Sequence, residues 1–132
     1  MRVGYGIADT KIISALYKIR PPFNVGVLSL LAAQAALLDS LFVHKTLESN
    51  FKEMAKYEKW AESKGIEFIN SYTNFLTFLF KEPLDSTKIS DDLLQKGVIV
   101  RNLKSYGLNA IRITIGTESQ NVKVLELLNK IV

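Results

Sequence analysis

Apolar and polar positions alternate with two different periods along the chain, and the changes of period mark its elements. After a short β-like stretch, "RVGYGIA", the residues Ile12, Ile13, Leu16 and Tyr17 recur at helical spacing. Asp9 stands where a side-chain cap would start that helix, which is predicted to end near Ile19. "RPPFN" stops it, because proline lacks an amide hydrogen and restrains the residue before it. Helical pattern resumes near Val25 and is predicted to reach Lys64, bent near Asp39 and Ser40 and ended by Gly65. Its first half is apolar all round. Its second half is amphipathic, with Phe51, Met54, Ala55 and Trp60 expected to face inward.

"IEFINSYTNFLTFLF", Ile66 to Phe80, is rich in β-branched and aromatic residues and predicts a strand pair or one bent strand. A polar stretch around Pro83 leads into a helix expected near Ser90 to Lys96, capped by Ser90 and stopped by Gly97. "GVIVRNLKSYGLNAIRITIGT" then reads as two strands around a turn at Ser105 to Leu108. Alternation puts Ile111, Ile113 and Ile115 on one face, with Arg112, Thr114 and Gly116 on the other. Val98 and Val100 likewise oppose Ile99 and Arg101. A last helix is predicted from Glu118 to Ile131, with Thr117 as its cap and Val122, Leu125 and Leu128 as its inner stripe. The order predicts an α/β (α+β) layer structure, a small sheet flanked by helices.

Composition narrows the chemistry. At 132 residues, 48% hydrophobic and 23% charged, the chain suits one globular fold with a real core. It has no cysteine, which removes disulfides and thiolate catalysis and makes a cytoplasmic location the expectation. His44 is the sole histidine, so neither a triad nor a multi-histidine metal site can be assembled, and no metal is expected. The net charge of +4 invites a nucleic-acid reading, but the lysines alternate with glutamates, as in "FKEMAKYEKWAESKG", which is the pattern of a solvated helix face. No nucleic-acid partner is expected.

No membrane association is expected either. In "VGVLSLLAAQAALLDSLFV" Gln34 and Asp39 interrupt the apolar run before it reaches the roughly 18 residues a bilayer span needs, and "MRVGYGIADTK" is not patterned as a secretory signal. A helix apolar on most sides belongs between layers of protein. Left uncovered, it favours self-association to a homodimer or larger species.

The chain has no P-loop, no complete GxGxxG, no GxSxG and no HExxH. Asp91 and Asp92 fall at a polar helix start, where capping explains them. What remains is one arginine in each of two strands otherwise built of Val and Ile. A surface ion pair would explain each at about 0–1 kcal/mol. An anion clamp is the sharper alternative, because a planar guanidinium gives two parallel hydrogen bonds to a carboxylate or phosphate, each charge-assisted bond contributing roughly 1.5–3 kcal/mol.

"RVGYGIA", "KIRPPFNV", "YTNFLTFLF", "KGVIVRNL" and "IRITIGT", in that order and at these spacings, resemble the C-terminal portion of the histidinol-phosphate aminotransferases. That family lies within the fold-type I transaminases that use pyridoxal phosphate. The resemblance covers essentially the whole chain, and threonine-phosphate decarboxylases share much of this portion. It implies that Arg2 binds the cofactor phosphate, that Arg112 grips the substrate's anionic group, and that Arg101 assists when that group is a phosphate. Asn24 in "PPFNV" and Asn74 in "TNF" match positions near the family's active site and would play supporting roles; turn formation explains an asparagine at either place equally well.

The resemblance implies further that residues 1–35 are the tail of a large cofactor-binding domain with its junction, and 36–132 the small domain. The family's Schiff-base lysine is expected upstream of Met1, so no catalytic residue is assigned and the chain alone is expected to be inactive. Lys11 and Lys18, on the helix after Arg2, do not match it. The intact protein would move an amino group between histidinol phosphate, or another amino acid or amino-alcohol phosphate, and a 2-oxo acid, in histidine biosynthesis. A non-catalytic binding or assembly module with the same fold, or a threonine-phosphate decarboxylase-like enzyme, is the alternative.

Overall fold

The computed structural model describes residues 2–132, which fall into two compact units, Met1–His44 and Lys45–Val132. In the first unit, α1 spans Thr10–Ile19 and begins where Asp9 Oδ1 accepts a hydrogen bond from the Lys11 amide at 2.8 Å. α2 spans Val27–Leu38, and α3, Ser40–Lys64, begins in the first unit and continues into the second. The break between them has a local cause: Asp39 Oδ1 accepts from the Phe42 amide at 3.0 Å and so caps α3. "RVGYGIA" was expected to be β-like but forms no strand, because an extended segment becomes one only against a partner ladder and no described strand pairs with it. No single helix among the described residues is long and apolar enough to cross a membrane.

The second unit carries a four-stranded antiparallel sheet of order β1-β2-β4-β3, with β1 at Glu67–Ile69, β2 at Phe75–Leu79, β3 at Arg101–Asn102 and β4 at Ala110–Thr114. Leu76 pairs with Ile113 and Phe78 with Ile111, which puts these four on one face. Tyr57, Trp60 and Ala61 of α3 pack over that face together with Ile89 and Leu93 of α4 and with Val124 and Leu128 of α5. Trp60 meets Phe78 edge-on, with ring centroids 5.4 Å apart. The sheet is thus covered by helices on this one side.

Three expectations are corrected here. α4 spans Ser86–Gln95, and its cap is Asp85, whose Oδ1 accepts from the Thr87 and Lys88 amides at 2.8 and 3.1 Å. Ser90, Asp91 and Asp92 therefore lie inside the helix, and the Ser90 hydroxyl donates to the Ser86 carbonyl instead. In α3 Phe51 is half exposed, and the inward stripe runs through Glu53, Met54, Tyr57, Trp60 and Ala61. α5 spans Glu118–Ile131 behind Thr117 as expected, but it buries Asn121, Val124 and Leu128 while Val122 points outward. Helical spacing gave the period in both helices, and the position of the sheet set its phase.

Candidate functional site

Arg101 and Arg112 are direct cross-strand partners in the β3–β4 pair. Paired residues in an antiparallel ladder project to the same side, so both guanidinium groups stand on the sheet face away from the helices. Thr77, the β2 partner of Arg112, belongs to the same row. β3 is only two residues long; before it, Val98 and Val100 pack against the core while Ile99 is largely exposed.

Neither arginine is neutralised. The ion pairs among the described residues join Lys56 to Glu53 and Glu118, Lys81 to Glu67, and Lys104 to Asp85. The arginines rest on aromatic side chains instead. Arg112 Cζ lies 4.6 Å from the centroid of the Phe75 ring. Arg101 Nη2 donates to Tyr106 Oη at 2.8 Å, with Cζ 5.7 Å from that ring's centroid. Two like charges opposite each other on neighbouring strands repel. The sheet holds them there, exposed and without a carboxylate between them. Such a pair is suited to an anion that can bridge both forks.

The loop after β4 is fixed from beneath the sheet. The Asn121 side chain accepts from the Gly116 amide and donates to the Gly116 carbonyl, both at 2.9 Å. It also accepts from Tyr57 Oη at 3.2 Å and donates to Glu53 Oε2 at 3.0 Å. Glu53 is almost wholly buried, yet its hydrogen bond to Lys56 holds its carboxyl below the usual range, against the opposing effect of burial. Burial pushes the Tyr57 hydroxyl's pKa upward, so it stays protonated. Position and burial identify this support; in the sequence Glu53 and Asn121 look like ordinary helix-surface residues.

The other expected site residues are placed as follows. Asn74 immediately precedes β2, its carbonyl accepts from the Ile115 amide at 2.9 Å, and by alternation it falls with Leu76 rather than with Thr77 and Arg112. Arg2 and Asn24 belong to the Met1–His44 unit, where both are exposed. Asn24 lines an open cleft of about 530 Å³ together with Leu16, Tyr17 and Arg20. Arg2 takes part in no ion pair among the described residues, which leaves its charge available to a phosphate ester and fits the donor set such a cofactor needs. Lys11 and Lys18 are exposed on α1, and His44 is exposed on α3. Tyr106 and Phe75 were not singled out from the sequence; the nearest signal was an aromatic residue in the turn that joins the two arginine strands.

Comparison with known proteins gives the following. Residues 1–128 match the family model described as aminotransferase class I and II. The chain is 62% identical over 131 residues to a histidinol-phosphate aminotransferase of Campylobacter hominis, covering 99% of this chain and 36% of that protein. It is 56% identical over 130 residues to the enzyme of the same name from Wolinella succinogenes, covering 98% of this chain and 35% of the other. The chain therefore spans about a third of the length of these curated relatives. The crystal structure of the histidinol-phosphate aminotransferase from Clostridium acetobutylicum shares its fold, with a TM-score of 0.81 at 22% identity over 92% of this chain and 38% of that one.

Proposed function

Because the chain belongs to the class I and II aminotransferases, we propose that the protein it forms part of is a histidinol-phosphate aminotransferase, transferring an amino group between histidinol phosphate and 2-oxoglutarate. The observation that carries this reading is the Arg101–Arg112 pair, two unneutralised guanidinium groups set side by side on the open face of the sheet.

In this reading Arg112 forms the bidentate contact with the substrate's anionic group, whether a carboxylate or a phosphate. Arg101 adds donors to a phosphate, which has more oxygens than one fork can satisfy. Thr77 and the Phe75 ring flank the position. Asn24 and Asn74 have supporting roles, and Arg2 would hold the phosphate of pyridoxal phosphate. When bound, that cofactor supplies the electron sink that amino-acid side chains lack. The work of this chain is to fix the substrate's tail, so that the reacting end is presented in one orientation. Residues 1–35 would complete the large domain and its junction, and 36–132 form the small domain.

The test uses the full-length protein. Arg112→Ala is expected to lower kcat/KM for histidinol phosphate by roughly 30- to 5,000-fold, corresponding to about 2–5 kcal/mol for losing one partner of a charge pair that becomes buried once the substrate is bound. Glutamate formation from 2-oxoglutarate is the readout. An unchanged kcat/KM removes Arg112 from the site, and carbon dioxide release from threonine phosphate, with no glutamate formed from histidinol phosphate and 2-oxoglutarate, replaces amino transfer with decarboxylation.

A further inference from the structure

The two guanidinium groups are braced differently, and the difference bears on which substrates the pair can tell apart. Arg112 lies against Phe75, a ring with nothing to donate. Arg101 donates to Tyr106 Oη, a hydroxyl whose own hydrogen has no acceptor among the described residues. The Tyr106 ring is set by the short turn that bears it: the Tyr106 amide donates to the Leu103 carbonyl at 2.9 Å and the Gly107 amide to the Lys104 carbonyl at 3.0 Å. The Lys104 amide is held in turn by Asn102 Oδ1 at 3.0 Å. Gly107 closes the turn at a φ of 79°, a conformation that favours glycine.

Oxygen counting gives the consequence. A carboxylate has two oxygens, and one bidentate fork satisfies them. A phosphate monoester has three terminal oxygens, so further donors improve its binding but not that of a carboxylate. A carboxylate side chain in place of Tyr106 would hold Arg101 equally well but cancel its charge. A phenol holds it, leaves the charge intact and keeps one O–H to give, polarised by the arginine that donates to it.

We infer that Tyr106 is a specificity-determining residue that favours phosphate-bearing over carboxylate-bearing substrates, by orienting Arg101 and by donating its own hydroxyl to the phosphate. This rests on the anion-site reading of Arg101 and Arg112. Phe75 orients Arg112 and serves both kinds of substrate alike.

The experiment compares Tyr106→Phe, Phe75→Leu, Arg101→Ala and Arg112→Ala in the full-length protein, with KM and kcat for histidinol phosphate and for 2-oxoglutarate, and melting temperatures alongside. Tyr106→Phe is expected to raise KM for histidinol phosphate about tenfold or more while KM for 2-oxoglutarate stays within about twofold. In the Arg101→Ala background the same substitution should have a much smaller effect, because its partner is gone. Phe75→Leu should raise both KM values together. Equal changes in both KM values on Tyr106→Phe, no change in either, or a loss that follows a lowered melting temperature would overturn the assignment. If Arg101→Ala and Arg112→Ala leave histidinol phosphate kinetics intact, the anion-site reading itself fails; if they respond and Tyr106→Phe does not, the inference fails alone.

Discussion

Asn121 has every side-chain hydrogen-bonding position filled, to Tyr57, Glu53 and both polar atoms of the Gly116 backbone. A buried amide so used is costly to remove, because truncation leaves several partners unsatisfied at once. Asn121→Ala is expected to destabilise the fold by about 1–3 kcal/mol, measured by urea unfolding; a loss below about 0.5 kcal/mol would mean that water replaces the amide without cost. The loop it supports follows β4 directly, so the substitution should also loosen the strand that carries Arg112. Nothing in the sequence reveals this. Asn121 sits in "TESQNVKV", where a polar residue on a first helical turn is ordinary. Arg101 and Arg112 were legible because a charged residue in a run of Val and Ile demands an explanation. Their partners Tyr106 and Phe75 were not, because an aromatic residue in or beside a strand demands none.

At the scale of elements, boundaries set by local chemistry were readable and those set by tertiary contacts were not. Thr117 and Gln120 form a reciprocal cap at the start of α5, and Gly65 and Gly97 end α3 and α4 with positive φ, all within a few residues of the signal. The sequence suggested Ser90 as the cap of α4. The choice fell to Asp85 because the Ser86 amide is taken by Asn109 Oδ1 at 2.8 Å and the Ser86 hydroxyl by Asn102, both distant in sequence. The β3–β4 register was equally out of reach, since it depends on where the intervening turn closes. The Asp85 cap carries a prediction with a definite sign. Its hydrogen bond from Lys104, helped by the Lys88 and Thr87 amides, lowers its pKa to about 2 from 3.8. The stabilisation is therefore complete above about pH 3.8 and lost as pH falls through about 2. Asp85→Ala should lower the melting temperature at neutral pH, with the gap to the unsubstituted chain narrowing between pH 4 and pH 2 in circular dichroism melts; a gap independent of pH in that window would exclude the carboxylate as its source.

For the molecule as a whole, burial is confined to one of its two units. Among the described residues every buried one lies within Lys45–Val132 and none within Met1–His44. Leu28 is 77% exposed, Leu31 57% and Leu38 86%, so α2, the most apolar helix in the chain, has no cover within its unit. Hydrophobic pattern marked this helix as one suited to lie between layers, but a pattern cannot say which polypeptide supplies the other layer. Two measurements follow from the exposure. Amide hydrogens of α1 and α2 should exchange much faster than those of β2, β4 and α5, because few buried contacts oppose local opening. The 132-residue chain should also associate in solution, since an apolar surface of several hundred Å² is rarely left open by a monomer. Light scattering is expected to give the mass of a dimer or larger, and Leu28→Lys with Leu31→Lys should shift it toward the monomer while the circular dichroism of the sheet unit is preserved. A monomer at high concentration before any substitution would show that α2 finds its cover inside a single chain.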